Sequence, residues 1–467
     1  MDKTLKSIYI KLDPTNKTLT KSAISQVLIK ILYMNDSSIK SDQIIEEYKK
    51  LTRNNNINKD EIVNCLTKLV EDNSIKLKRD SYYISSSKRR KIESIYNEST
   101  NRKDNIIERF FQPFFSDIDV VKNWLEDSTV FFFQSYSNEW IADLCFNKMS
   151  AVSGSKENIL KTINIRTNHN HNLDKKDLPD LCNKFIQFIT NNDPLVDSYL
   201  WEYGTAAFSA QLINNSIGAD NITIETFKDC KCVLDTNVLM HIGLEGSEYF
   251  TALKSLEQVF FKLNVEVGVL NITKEEYENT MCNKRDEILK AVENYPQEVI
   301  KRADDQYTRT AILRQCNNYS DFERFFEEVS VIPKHIEDQI EIKVFNHDPK
   351  LDEIIEQDKN DEGKRNELNS IYKHSTGKDK RPNALIHDVG LIAGVNYLRN
   401  NDKYFILSQE VSVNNYAKQK PSISDLPIAI KLETLINVLA INNGGIEIEP
   451  TDYIPLFASM VRTGLVP

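Results

Sequence analysis

Apolar positions in the first hundred residues recur at intervals that predict three helices followed by a β-hairpin. The segments 21–34 and 41–51 repeat apolar residues every three or four positions, which is helical spacing. Asn58 is placed to cap the third helix. Two short β-prone runs within 75–85 then flank a polar turn at 79–81.

This order of elements resembles a winged helix, a small domain of three helices and a hairpin. The resemblance implies binding of nucleic acid, in which basic side chains would meet phosphates. The basic residues concerned are Lys76, Lys78, Arg79, Lys88, Arg89, Arg90 and Lys91. Two alternatives stay open: the module binds only protein, or these residues form a solvated face beside a linker.

Helical periodicity continues through residues 101–228, which we predict to form a helical middle domain. His169 and His171 lie in this part within a run of asparagines. We expect a polar loop there. A pair of metal ligands is the alternative, although no carboxylate or cysteine stands beside the two histidines at ligand spacing.

From residue 229 onward, short apolar runs alternate with helical patterns. Runs at Cys232–Leu234, Val265–Ile272 and Tyr404–Leu407 are typical of buried parallel strands, and a last short strand is predicted at Ile446–Ile448. The fold class is therefore multidomain α/β, with a C-terminal α/β/α sandwich around a central parallel sheet. The predicted domains are 1–100, 101–228 and 229–467.

Composition indicates several domains and no membrane span. A chain of 467 residues exceeds one ordinary domain, and no run approaches the roughly 18 apolar residues that a span needs. The N-terminus lacks the apolar core of a signal peptide, so we expect a soluble, cytoplasmic protein. Residues 1–100 carry 19 Lys and Arg against 13 Asp and Glu, whereas the remainder carries 40 against 56. A polyanion would thus dock on the N-terminal module.

Two acids directly follow predicted strands. Asp235 stands between the apolar runs 232–234 and 238–240, where a carboxylate costs on the order of several kcal/mol unless it is paired or bound to a cation. A local Asp-Thr-Asn turn is the alternative. Glu410 stands just past the strand 404–407. Sites in open α/β sheets form beyond the carboxyl ends of strands, so both acids are expected at that edge.

Two further acids complete the set. Glu276 follows the second strand, which is predicted to end at Ile272, and a capping box with Thr273 is its alternative explanation. The helix predicted at 383–398 places Asp388 in the middle of its apolar stripe. The alternative for Asp388 is a buried ion pair with Lys380 or Arg381. The adjacent His387 is expected to lie off the stripe, at the surface.

Asp235, Glu276, Asp388 and Glu410 together predict an all-oxygen site for Mg²⁺ or Mn²⁺. Carboxylates this close repel one another, so the cluster has no obvious reason to persist without a cation. The natural use of such a site is phosphodiester hydrolysis by an activated water.

The segment 233–240, Val-Leu-Asp-Thr-Asn-Val-Leu-Met, resembles the opening motif of the PIN-domain nucleases. The segments 272–277, 387–393 and 407–410 are similar to the second, third and fourth motifs of that family. The resemblance implies that the four acids bind the metal and that the Thr and Asn of the first motif orient Asp235. The residues that we expect on the substrate side are Thr236, Asn237, Ser408, Lys380 and Arg381.

Two features depart from the family pattern. The interval between Glu276 and Asp388 is longer than a compact PIN core needs, so residues from about 290 to 380 are predicted to be a largely helical insertion. That insertion either caps the site and grips substrate, or is a solvated decoration. Glu410 stands where the family usually has aspartate, which leaves a second metal open.

These observations lead to the hypothesis of a Mg²⁺- or Mn²⁺-dependent nuclease that acts on RNA, with DNA as the other substrate to consider. Nucleic acid is the expected partner, and a second copy of the chain or a regulatory protein is a further one. The alternatives are a PIN-like scaffold without activity and a winged-helix DNA-binding regulator.

Overall fold

The computed structural model places the chain in two compact units, which are described separately. The first unit covers most of residues 1–223 and the second most of residues 224–467. The structure describes residues 19–35, 37–52, 58–111, 118–144, 178–214, 224–247, 249–303, 305–345, 348–419 and 426–441, with three residue pairs between 454 and 462. His169, His171 and the strand predicted at 446–448 lie outside the described residues.

The first unit opens with the three helices and the hairpin that the apolar pattern predicts. Its elements are α1 (Leu19–Met34), β1 (Ile39–Lys40), α2 (Ser41–Thr52), α3 (Lys59–Glu71), β2 (Ile75–Lys78) and β3 (Ser81–Ile84). The three strands form a small antiparallel sheet in the order β1-β3-β2. Asn58 caps α3 as expected, because its side chain accepts a hydrogen bond from Asp60 N. Arg79 and Asp80 both have positive φ, as a two-residue hairpin turn requires.

The rest of the first unit is helical in its described part, in agreement with the prediction for 101–228. Its helices are α4 (Ser86–Ile106), which continues into a π-helical turn (Ile107–Phe111), α5 (Ile118–Leu144), α6 (Leu178–Thr190) and α7 (Pro194–Asn214). Aromatic rings fill the core between these helices, including Trp124 and Phe188. Helix α4 runs through residue 100, and Ser99 and Arg102 both bond to Glu202 of α7. The described residues from 19 to 214 therefore lie in this unit, whereas residues 224–228 belong to the second unit.

The second unit is a mixed α/β structure. Its strands are β4 (Lys231–Leu234), β5 (Glu266–Val269), β6 (Ile342–Val344), β7 (Tyr404–Leu407) and β8 (Ala429–Ile430). Its helices are α8 (Thr236–Leu239), α9 (Phe250–Lys262), α10 (Asn271–Asn294), α11 (Gln297–Ile300), α12 (Gln306–Leu313), α13 (Tyr319–Val329), α14 (Pro349–Lys359), α15 (Glu362–Thr376), α16 (Pro382–Leu398), α17 (Val411–Gln419) and α18 (Leu432–Ile441). A 3₁₀ turn at Ile224–Phe227 precedes β4.

The five strands of the second unit form one parallel sheet in the order β6-β5-β4-β7-β8. Strand β7 and residues Cys232–Leu234 of strand β4 are apolar and almost fully buried, as continuous runs such as Tyr404–Leu407 predict. The parallel pairing brings the carboxyl ends of β4 and β7 to the same edge, with Leu234 opposite Leu407. The predicted parallel sheet is confirmed, and the acids that follow these strands share one edge.

The segment from 290 to 380 is more than the helical insertion that the sequence predicts. It supplies β6, which pairs in parallel with β5 at the edge of the sheet. Helices α14 and α15 bury Leu351, Ile355, Leu368 and Ile371 in the same core as α16. The segment is therefore part of the hydrophobic core, and the idea of a purely solvated decoration is wrong. The strand was missed because only Ile342 of its three residues is buried.

Strand β5 approaches β6 closely at Gly268. A Cβ atom at this position would lie 2.6 Å from the main-chain oxygen of Lys343 and 2.7 Å from a ring carbon of Phe345. Both contacts are too short for real carbon atoms, so glycine is required for this strand pairing. No described helix is both long and apolar enough to cross a membrane.

Candidate metal centre

Asp235 follows β4 directly, and only 2% of the residue is exposed to solvent. It occupies the N-cap position of α8 with extended backbone, yet its side chain caps no amide of that helix. The main chain does form a local turn, since Val238 N bonds to Asp235 O at 3.0 Å, but the turn leaves the carboxylate without an amide partner in it. The carboxylate lies at the edge of the sheet, where its partners are the side chains of Ser408 and Asn237.

Ser408 and Asn237 hold the Asp235 carboxylate in place. Ser408 Oγ donates a hydrogen bond to Asp235 Oδ2 at 2.5 Å, and Asn237 Nδ2 donates to the same oxygen at 2.8 Å. Asn237 Oδ1 in turn accepts from Gln409 N at 3.0 Å. The ends of β4 and β7 are thus tied through one carboxylate. Thr236 is buried, and its hydroxyl has no partner among the described residues.

Glu276 reaches the same edge from α10. The preceding strand ends at Val269, not at Ile272, and α10 begins at Asn271 with Leu270 in the N-cap position. Thr273 lies inside the helix, where its amide bonds to Leu270 O, so the predicted capping box does not form. The capping explanation of Glu276 is therefore wrong. The predicted strand end was too late because the apolar run continues from the strand into the helix.

His387 is buried at the centre of the acids, and its predicted surface position is wrong. Its exposed fraction is 4%. His387 Nδ1 lies 3.0 Å from Glu276 Oε2, 3.5 Å from Asp388 Oδ1 and 3.9 Å from Asp235 Oδ1. Helix α16 has no solvated face between residues 387 and 395, where every residue is buried, so its apolar stripe does not mark the only buried side.

Burial and charge shift the pKa values of two of these groups. Burial lowers the pKa of His387, but the hydrogen bond to Asp388 and the charges of Asp235 and Glu276 outweigh it and raise the pKa to about 9. Burial raises the pKa of Asp235 to about 6, helped by the charges of Asp388 and Glu276 and opposed by His387 and Ser408. In the absence of a metal, the imidazolium is the counter-ion of the acids.

Asp235, Glu276 and His387 form the group of side chains best placed to hold a metal ion among the described residues. One ligand atom from each lies within 4.8 Å of the other two. The donors are two carboxylate oxygens and one imidazole nitrogen, which differs from the predicted all-oxygen set. Imidazole is a ligand for transition metals, whereas Mg²⁺ prefers oxygen.

Asp388 and Glu410 are joined by the ammonium group of Lys380. Lys380 Nζ lies 2.5 Å from Asp388 Oδ2 and 2.8 Å from Glu410 Oε2, and its side chain is 6% exposed. Burial opposes the charge, but the two carboxylates raise the pKa of Lys380 above its ordinary value. Asp388 therefore forms the buried ion pair with Lys380 that was the alternative explanation of this acid. Ser412 Oγ adds a hydrogen bond to Asp388 Oδ2 at 3.3 Å.

The structure brings most of the predicted site residues to one edge of the sheet. Arg381 differs, because it lies exposed at the N-cap position of α16. Lys380, Asn237 and Ser408 contact the acids, and their contact with substrate stays a prediction. Sequence reasoning missed His387, although the apolar surroundings of residues 384–395 are typical of a fully buried helix.

Comparison with known proteins adds no relative. No family model, no curated protein and no solved structure matches this chain. The geometry of the site therefore carries the functional argument.

Proposed function

We propose that the second unit is a Mg²⁺- or Mn²⁺-dependent phosphodiesterase that hydrolyses nucleic acid, with single-stranded RNA as the favoured substrate. The observation that carries the proposal is the convergence of Asp235, Glu276 and His387, whose ligand atoms lie within 4.8 Å of one another. The convergence lies at the carboxyl edge of a parallel sheet, where open α/β folds place their sites.

The charges at this edge fit a divalent cation. Four carboxylates, those of Asp235, Glu276, Asp388 and Glu410, stand beside the ammonium of Lys380 and the imidazole of His387. A metal-bound imidazole is neutral, so the carboxylates would then exceed the ammonium by three negative charges, which a divalent cation would largely offset. Of the two proposed ions, Mn²⁺ accepts an imidazole ligand more readily than Mg²⁺ does.

The side chains around the centre preorganise it. When bound, a divalent cation supplies an activated water for attack on the phosphodiester. Ser408 and Asn237 fix Asp235 Oδ2 with two hydrogen bonds, so that Oδ1 is left to face His387. Thr273 Oγ1 lies 3.4 Å from His387 Nε2, which fixes the imidazole from its far side. Outer contacts of this kind orient metal ligands in other sites.

The same proposal extends to the architecture. The second unit would be a PIN-like α/β/α sandwich and the start of the first unit a winged-helix-like module. Lys76, Lys78 and Arg79 are exposed on the hairpin and suit phosphate contacts. Arg89 suits them less, because its guanidinium donates to the main-chain oxygens of Tyr33 and Asn35.

A second candidate function is a nucleic-acid-binding scaffold that does not cleave. One observation favours it: Lys380 already pairs with both Asp388 and Glu410, so that part of the acidic set has a counter-ion without a metal. A scaffold would bind nucleic acid with or without divalent ions.

The test is cleavage of end-labelled single-stranded RNA and DNA with Mn²⁺, with Mg²⁺ and with EDTA. We expect cleavage of RNA that requires the metal and is lost in Asp235→Asn. Faster cleavage of DNA than of RNA would make DNA the favoured substrate of the nuclease. Binding of both polymers by folded protein without cleavage, in either metal, would favour the scaffold and overturn the nuclease.

A further inference from the structure

We propose that Lys380 is a built-in cation at the second metal position, so that the chain binds a single divalent ion. The inference rests on the proposed metal centre at Asp235, Glu276 and His387. Two-metal phosphodiesterases hold two ions about 4 Å apart and share carboxylates between them. Here one of the two positions would be occupied by an ammonium group.

Asp388 has the arrangement of a carboxylate shared between two cations. Its Oδ1 lies 3.5 Å from His387 Nδ1, on the side of the candidate metal ligands. Its Oδ2 lies 2.5 Å from Lys380 Nζ. Lys380 also contacts Glu410 Oε2 at 2.8 Å and Ser412 Oγ at 3.2 Å. The ammonium thus has the oxygen partners that a second cation would otherwise take.

The main chain of Lys380 is anchored, so its side chain enters the site from a fixed point. Lys380 N donates to Asn369 Oδ1 of α15 at 2.9 Å. The preceding Asp379 accepts from Asn369 Nδ2 at 3.0 Å and pairs with Lys373 at 3.0 Å. The ammonium lies 5.2 Å from the centre of the Tyr372 ring, which further favours a cation there.

Displacing the ammonium would be costly for a metal ion. A buried charge that loses its partner is strongly destabilising, and Lys380 and Asp388 are both almost fully buried. A second divalent ion would have to move Lys380 into an unpaired state before it gained the same carboxylates. Glu410 is consistent with a cation of the protein at the second position. Its carboxylate contacts Lys380 and is not among the three candidate metal ligands.

The test counts Mn²⁺ ions per chain by the electron paramagnetic resonance signal of free Mn²⁺ during titration. Four proteins are compared: the unmodified chain, Lys380→Ala, Lys380→Arg and the exposed control Lys378→Ala. Binding to surface carboxylates is subtracted with the double variant Asp235→Asn, Asp388→Asn. Circular dichroism melts establish that each variant is folded.

We expect one specific ion in the unmodified chain, in Lys380→Arg and in Lys378→Ala, and two in Lys380→Ala. Two ions in the unmodified chain, or one in folded Lys380→Ala, would overturn the inference and leave the metal centre standing. No specific ion in the unmodified chain would overturn the metal centre itself. If Lys380→Ala does not fold, the count in the unmodified chain still decides, because the inference requires that number to be one.

Discussion

His387 Nδ1 of helix α16 lies 3.0 Å from Glu276 Oε2 of helix α10. The contact joins two helices that flank the carboxyl edge of the sheet, and it points both side chains at Asp235. A carboxylate and an imidazole in such a pair are either counter-ions or two ligands of one metal.

Replacement of His387 by asparagine removes one ligand atom from the candidate centre. We expect Mn²⁺ affinity to fall by about tenfold or more, since loss of even an outer contact costs about 10- to 100-fold in metal sites. The measurement is a Mn²⁺ titration by isothermal calorimetry, with the exposed His374→Asn as the matched control. Equal affinities in the two variants would show that His387 is only a counter-ion.

Replacement of Ser408 by alanine removes the hydrogen bond that fixes Asp235 Oδ2 at 2.5 Å. We expect metal-dependent cleavage to fall by about 10- to 100-fold while the fold is retained, because the carboxylate loses its orientation. Initial rates at saturating Mn²⁺ provide the measurement, and Ser320→Ala on the exposed start of α13 is the control. An unchanged rate would mean that Asn237 alone orients the acid.

Replacement of Gly268 by alanine forces a Cβ atom to within 2.6 Å of the main-chain oxygen of Lys343. Main chain gives way less than a side-chain end, so we expect a loss of about 1–3 kcal/mol in the free energy of unfolding. Urea denaturation measures it. In Gly363→Ala near the start of α15, a Cβ atom would meet only the side-chain oxygen of Asp361, at 3.1 Å, so we expect no comparable loss there. Equal stabilities of the two variants would contradict the close approach of β5 and β6.

The contribution of His241 to the stability of the second unit should be lost in mild acid. Burial lowers the pKa of this histidine to about 4, and its Nδ1 lies 2.8 Å from Ser247 Oγ. A folded pKa below the unfolded value of 6.5 means that the proton prefers the unfolded chain. The contribution is therefore complete above pH 6.5 and is lost as the pH falls towards 4.

At pH 5 this loss amounts to about 2 kcal/mol, from a shift of the cited size. Urea unfolding at pH 7.5 and pH 5 measures it, with His241→Gln as the comparison, since glutamine keeps a polar group but does not titrate. Between pH 7.5 and pH 5, the free energy of unfolding should change by about 2 kcal/mol less favourably in the unmodified chain than in the variant. Equal changes in the two proteins would show that His241 is not buried in its neutral form.

Elements with a strong apolar pattern were predictable from the sequence. The buried strand 404–407 is uniformly apolar, and the helix predicted at 383–398 begins one residue earlier, at Pro382. The apolar pattern misplaced the end of a strand where apolar residues continue from the strand into the following helix. Leu270 and Ile272 extended the apparent strand, although the helix begins at Asn271. Strand β6 has one buried residue, and its pairing with β5 is a tertiary effect.

The candidate site was predictable in part for a similar reason. Asp235 and Glu410 follow parallel strands, and strand direction alone brings them to one edge. The sequence left the role of Lys380 open, because its contact with Glu410 depends on how α15, α16 and α17 pack. The burial of His387 depends on how helix α16 packs against helices such as α10 and α14, and no local pattern contains that information.

The most direct test of the central claim is metal rescue of RNA cleavage in a matched pair of variants. The protein is stripped with EDTA, assayed on end-labelled single-stranded RNA, and assayed again after excess Mn²⁺ is added. The unmodified chain and Glu275→Gln, which alters the exposed neighbour, should regain full cleavage, whereas Glu276→Gln should regain about one tenth or less. Cleavage that persists in EDTA, or equal recovery of the two variants, would contradict a metal centre built on Glu276.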